Sequence, residues 1–340
     1  MLALRKGVVT GATEPSAGGI QHLEIEVDGA PRRAYADVLQ IGPSEAGDEV
    51  VVNVEAVDLK LGSGGRDVVL VNLTRGLTGE ADPERHVMKL NYSPLQSGVD
   101  PIEPATLLPV SGAAAVFQLH GQLGPVVWAA KREAPDLRIG YVQTGGGALP
   151  GGFSRTVGQL LESELLVDHV TAAPAYGAAE AMSTIGGLHA GLAERGWDCA
   201  VIGPGPGIIG SGTALGHGGM VALDSLHAAM ALGLDTVMVV RASNGDPRAR
   251  HQGISHHTTS VLDLLLRPVT VGLGPDAPRD ASFDRHEVID CEPDLHAYAE
   301  SGLPTRTMGR DLPNDTLFFE QALAGGIALA KRAGGARSQD

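Results

Sequence analysis

Aromatic residues make up only 4% of this 340-residue chain, and its two cysteines, Cys199 and Cys291, lie far apart. The first scarcity leaves a core of Ala, Val, Leu and Ile, which a 43% hydrophobic content is enough to build. The second excludes a disulfide framework or a thiolate zinc site and fits a reducing compartment. Positive charge is short as well: 25 Lys and Arg against 40 Asp and Glu give a formal net charge of -15. Duplex-binding proteins present a basic face, so no nucleic-acid partner is expected. No apolar run approaches the roughly 18 residues of a membrane span, and the basic first residues lack the apolar core of a signal peptide. These absences predict a cytoplasmic protein with no membrane partner. A Gly-x-Ser-x-Gly elbow, a His-Glu-x-x-His pair, a Cys-x-x-Cys pair and a Gly-Lys-Ser/Thr phosphate loop are all missing, which removes the commoner hydrolase, zinc and P-loop signatures.

Glycine, by contrast, is plentiful at 47 residues, with no Gly-X-Y period, so it marks loops rather than a fibrous or disordered chain. Residues 1–78 read as short strands. Leu23, Ile25 and Val27 alternate with Glu24, Glu26 and Asp28, and Asp28-Gly29 is a hairpin-turn pair. Further strands at 50–54 and 68–73 suggest a small β-barrel-like domain. Residues 79–111 carry charges and prolines with little periodicity and read as a connector. Over 112–335 the apolar runs 114–119, 137–142, 165–170, 199–202, 236–240 and 268–271 alternate with amphipathic segments. Phe153, Val157, Leu160 and Leu161 share one helical face, as do Met182, Ile185, Leu188 and Leu192. That alternation predicts a doubly wound, mainly parallel, Rossmann-like α/β domain. A last helix over 317–331 is expected on the outside, with a frayed tail over 332–340.

Open α/β sheets bind ligands beyond the carboxyl ends of their strands, so the loops after the strands are where a site is expected. The most distinctive is Gly-Pro-Gly-Pro-Gly-Ile-Ile-Gly-Ser-Gly-Thr-Ala-Leu-Gly-His-Gly-Gly over 203–219, between an apolar strand and a helical segment at 220–232. It formally matches a dinucleotide fingerprint, but after the fourth strand, with no acidic residue closing the next one. An anion nest is the better reading. Gly205, Gly207, Gly210 and Gly212 would open main-chain N–H groups, and Ser211, Thr213 and His217 would add side chains. The loop after the fifth strand, 241–257, holds Arg241, Asp246, Arg248, Arg250, His251, His256 and His257, a basic cluster in an acidic chain. Guanidinium forks suit phosphate or carboxylate, and histidines titrate near neutrality. Extended, His256 and His257 would diverge, so no metal ligand set is assigned. A run Thr258-Thr-Ser260 ahead of Asp263 resembles a helix start. Thr144 and His120 lie in the loops after the second and first strands.

The segments Tyr92-Ser-Pro-Leu-Gln96, Leu119-His120, Tyr141-Val-Gln-Thr-Gly-Gly-Gly-Ala-Leu-Pro150, 205–219 and Asp246-Pro-Arg-Ala-Arg-His-Gln-Gly-Ile-Ser-His-His257 resemble, in the same order, those of a bacterial family, the domain-of-unknown-function 3866 family. The chain departs from that pattern at Gly145, where the family has Asp, and at His217-Gly218, where it has Phe-Ser. The resemblance implies a stand-alone bacterial protein and supplies no activity.

The residues themselves point to an enzyme of transferase or hydrolase type acting on a small anionic, phosphorylated or nucleotide-like metabolite. Arg241, Arg248 and Arg250 would hold the anion, His256 or His251 would move a proton, and Asp246 would orient one of them. Two other readings stay open: a non-catalytic ligand sensor or assembly protein, and a His-ligated metal-dependent enzyme. No cofactor is named by any motif, and Ala/Gly-rich helices with an exposed barrel are compatible with a homodimer.

Overall fold

A computed structural model describes residues 1–62 and 64–337. The chain separates into two compact units, Met1–Asp100 and Pro101–Asp340. In the first, β1 (Leu4–Ala12), β2 (Ile20–Val27), β3 (Ala30–Asp37), β4 (Glu49–Asn53) and β5 (Asp67–Asn72) close a barrel in the order β1-β2-β3-β5-β4. The alternation read in β2 is realised: Leu23, Ile25 and Val27 point inward with Val9, Val50 and Val52, while Glu24 and Glu26 face out. Asp28 and Gly29 both take positive φ, 51° and 75°, the conformation of a tight hairpin turn between twisted strands. Single turns α1 (Val38–Ile41) and α2 (Glu55–Asp58) link the barrel strands. A short antiparallel pair, β6 (Val87–Lys89) and β7 (Ser97–Val99), completes this unit within what reads in sequence as a connector.

The second unit is an eight-stranded parallel sheet. Its strands are β8 (Ala113–Val116), β9 (Ile139–Thr144), β10 (Asp168–Ala172), β11 (Ala179–Ala181), β12 (Cys199–Pro204), β13 (Asp235–Met238), β16 (Thr270–Leu273) and β17 (Glu287–Asp290), with a small antiparallel ribbon, β14 (Ala242–Ser243) and β15 (Gly253–Ile254), outside it. The order is β11-β10-β9-β12-β8-β13-β16-β17. Helices α3 (Leu123–Glu133), α4 (Arg155–Glu162), α5 (Thr184–Ala193), α6 (Val221–Ala231), α7 (His256–Leu264), α8 (Leu295–Ala299) and α9 (Thr316–Arg337) complete it. Successive strand residues feed opposite cores. Ala113 and Ala115 pack with α3 and α9, while Ala114 and Val116 pack with α5, α6 and α7. A strand buried on both faces has no polar alternation to show, which is why β8 reads as a plain apolar run.

Two expectations are corrected here. The last helix does not lie on the outside: Phe318, Phe319, Leu323 and Ala324 are at most 1% exposed, and α9 sits against the sheet and α3. Its Ala and Gly residues let neighbours close in from several sides. A Cβ on Gly326 would lie 2.2 Å from the Val126 carbonyl oxygen. A helix apolar all round belongs inside. The helix also continues to Arg337, so 332–337 is helical rather than frayed, and 338–340 lie outside the described residues.

Candidate functional site

Strand β8 is the centre of the sheet. The chain first builds outward from it on one side through β9, β10 and β11, returns to insert β12, and then crosses to β13. This reversal puts the loops after β8, β12 and β13 side by side, as expected at the switch point of an open sheet. Gln118, at the end of β8 and fully buried, ties them together. Its Nε2 donates to the His257 carbonyl at 2.7 Å and its Oε1 accepts from Thr258 Oγ1 at 3.2 Å. Gln122 donates to the Val240 carbonyl at 3.0 Å. Neither glutamine stands out in sequence, because an apolar run followed by one amide carries no spacing signal.

The segment after β13 is a folded-back ribbon rather than an open loop. Ala242 pairs with Ile254 and Ser243 with Gly253, so the residues between are presented as a hairpin. Asp246, with no exposed surface, accepts from Arg248 Nε at 2.9 Å and Nη2 at 2.8 Å and from Arg310 Nη2 at 3.3 Å. These arginines, Arg248 foremost, hold its carboxyl well below the ordinary range. Its partners are thus guanidinium groups, not the histidine that the sequence suggests it orients. Asp315, at the foot of α9, completes the frame. It accepts from Ser243 Oγ and Arg310 Nε, both at 2.8 Å, and from Asn244 N at 3.0 Å.

The helix after the ribbon starts earlier than expected. Ser255 is the N-cap, its Oγ accepting from His257 N at 3.3 Å, so α7 opens at His256 and not near Thr258. His256 and His257 therefore share the first helical turn, with ring centroids 4.5 Å apart, instead of diverging as extended neighbours would.

The glycine loop forms a tight hairpin. Gly210 bridges His217, Ser211 N donates to the Gly216 carbonyl at 2.7 Å, and Gly218 N donates to the Ile209 carbonyl at 2.8 Å. Ser211 and Thr213 hydroxyls meet each other at 3.0 Å on the exposed tip. Glycine is required where this loop meets the one after β9: a Cβ on Gly218 would fall 2.1 Å from the Gly146 carbonyl oxygen. His217 Nε2 donates to the Ala214 carbonyl at 3.0 Å, leaving Nδ1 buried without a partner.

Between ribbon and hairpin lies a cavity of about 410 Å³. Gly210, Gly212, His217, Arg241, Asp246, Arg248, Arg250, His251 and His257 all line it, joined by Ile208, Ile209, Pro247, Met308 and Arg310. Arg310 comes from a distant two-strand turn, Arg306–Thr307 with Arg310–Asp311, a segment without periodicity to mark it. His256 is not among the residues lining the cavity, and its ring is 5.0 Å from that of His251. Gly205, Gly207, Ser211 and Thr213 are elsewhere on the glycine loop, and Thr144 and His120 are also outside the cavity lining. His120 joins a separate polar group instead, with Nε2 2.6 Å from Ser154 Oγ and Nδ1 3.1 Å from the Pro204 carbonyl oxygen.

The charges around the cavity do not balance. Arg248 and Arg310 are neutralised by Asp246 and Asp315, but neither Arg241 nor Arg250 has a carboxylate partner among the described residues. Arg241 is 3% exposed, and burial, with Arg248, Arg310 and Arg250 nearby, pulls its guanidinium down to about 10. Its Nη1 donates to His257 Nδ1 at 2.5 Å. Burial first, then the arginines, also lowers the histidines: His251 falls to about 3, and His257 falls further. All therefore stand neutral near pH 7. One ring nitrogen from each of His217, His256 and His257 lies within 4.8 Å of the others, so this trio could hold a metal ion.

The sequence pattern of the DUF3866 family, described as a protein of unknown function, matches residues 33–326, and the chain belongs to that family. No curated protein matches the sequence. Among the described residues no helix is long and apolar enough to cross a membrane.

Proposed function

We propose that this member of the DUF3866 family is an enzyme that binds a small phosphorylated, nucleotide-like metabolite in the arginine-lined cavity and carries out a transferase or hydrolase reaction. Arg241 carries this reading. A buried guanidinium without a carboxylate is costly to keep, and a phosphate supplies both the missing charge and bidentate acceptors. Arg250, with its guanidinium 3.5 Å from where a Cβ on Gly212 would lie, is the second free cation at the mouth. Arg248 and Arg310 are held in place by Asp246 and Asp315 and frame the site.

His251 is the group that moves the proton. It lines the cavity, and its Nδ1 meets Ser255 Oγ at 2.8 Å, which fixes the ring and leaves Nε2 for the substrate. Burial and the arginines keep its imidazole neutral, and a bound anion, by offsetting those arginines, would raise its basicity towards the working range. The proposed partner is the metabolite, with no nucleic acid.

The test is turnover of a panel of sugar phosphates and nucleoside monophosphates by the full chain. Consumption of at least one member is expected. His251→Ala should abolish that turnover while affinity stays within a few-fold. Binding without turnover anywhere in the panel would instead make the protein a ligand sensor.

A further inference from the structure

Three of the four histidines clustered here are not needed to bind an anion. We infer that His217, His256 and His257 form a three-nitrogen site for a divalent first-row transition ion, Zn²⁺ in the first instance, with its fourth position open to the arginine-lined cavity. Imidazole is the ligand such ions favour, and three protein nitrogens with one open position is the pattern of catalytic zinc.

The site is built for this in several respects. His217 Nδ1 and His256 Nε2 are buried and have no hydrogen-bond partner, an expensive condition that an ion would relieve. His217 has its other nitrogen committed as a donor to the Ala214 carbonyl, the arrangement that fixes the tautomer of a metal-binding histidine. Space is provided by Gly219, where a Cβ would lie 3.0 Å from His217 Nδ1 and 3.2 Å from His257 Nδ1.

Loading requires two local adjustments. The rings of His217 and His257 stack with centroids 3.5 Å apart and planes 2° from parallel, so one must rotate for both lone pairs to meet one ion. The broad χ2 of histidine permits that rotation. Ligand nitrogens of a tetrahedral zinc are about 3.4 Å apart, from Zn–N bonds of about 2.05 Å. The three here span at most 4.8 Å and close with it. His257 Nδ1 must also let go of Arg241 Nη1. The ion thereby frees one further N–H of Arg241, on Nη1, for an anion, and the anion fills the fourth position and offsets the added charge. Only this last step rests on the proposed anion binding; the nitrogen site stands on the histidines.

The experiment is titration of Co²⁺, then Zn²⁺ in competition, into chelator-stripped full-length chain in phosphate-free buffer. One Co²⁺ per chain with the strong visible bands of low-coordinate cobalt is expected, displaced by Zn²⁺. His217→Ala and His256→Ala should each weaken binding roughly tenfold or more. Where a histidine variant fails to fold by circular dichroism, Gly219→Ala replaces it, keeping every ligand while filling the space beside two of them. It should weaken Co²⁺ likewise. No saturable Co²⁺ binding by the wild type, or binding unchanged in the folded variants, overturns the inference. Phosphate added last separates the two claims. Altered cobalt bands support an anion at the fourth position, whereas bound cobalt blind to phosphate leaves the metal site standing and counts against the anion.

Discussion

Arg241 Nη1 donates to His257 Nδ1 across 2.5 Å, so a buried guanidinium is satisfied by a neutral ring rather than by a carboxylate. That pairing meets the hydrogen-bonding demand of one N–H and leaves the charge uncompensated. A fold selected only for stability would not keep it, since removing an uncompensated buried charge stabilises. On the proposed anion binding, the pair is where stability is exchanged for binding.

Arg241→Met should raise the thermal midpoint of the ligand-free protein. Relief of about 1 kcal/mol corresponds to roughly 2–4 °C for a unit of this size. Differential scanning calorimetry of the full chain checks it, and a lower midpoint would show that Arg241 serves packing instead.

Asp246 should behave oppositely. Its buried carboxylate holds Arg248 and Arg310, and Asp246→Asn should cost about 2 kcal/mol by leaving Arg248 without a counterion and Arg310 with Asp315 alone. The sign with pH follows from its depressed pKa. The stabilisation is fully present above its ordinary value of 3.8 and is lost as pH falls below it towards the lower folded value. Acid unfolding of the variant should accordingly show a shallower limb below pH 4, measured by circular dichroism.

Glu320 carries the reverse dependence. It is buried in α9, accepts from Asp276 N at 3.0 Å, and burial raises it from 4.5 to about 6. The folded state thus holds this proton more tightly than the unfolded chain, and stability falls as pH rises from 4.5 through 6. Glu320→Gln should flatten that window and be the more stable form above pH 6 in urea titrations at several pH values.

Gly218→Ala puts a methyl 2.1 Å from the Gly146 carbonyl, a backbone atom that cannot yield cheaply. A loss of about 1–3 kcal/mol is expected, together with weaker anion binding, because the wall carrying His217 must shift. Urea unfolding and phosphate titration of the same sample check both.

Much of this was legible in sequence where a periodic pattern governs the structure. The alternation in β2, the Asp28-Gly29 turn and the succession of apolar runs each specify a local geometry, and all appear in the fold. The basic cluster after β13 is visible too, because seven charged or imidazole side chains fall within 17 residues. What sequence could not show is which charges cancel. Arg248 and Arg241 look alike along the chain, yet one is clamped by Asp246 and the other is not. Arg310, Asp315 and Gln118 reach the site from afar, and long-range placement leaves no local spacing to read. The position of α9 is not legible in sequence, because a helix apolar on every side has no amphipathic signature to orient it.

The most direct measurement is isothermal titration of inorganic phosphate into the full chain, wild type beside Arg241→Met, in low-salt buffer with chelator. The account predicts saturable one-to-one binding by the wild type, weakened roughly tenfold or more in the variant and by added salt. Equal binding by the two proteins, or no saturable binding by either, would contradict it.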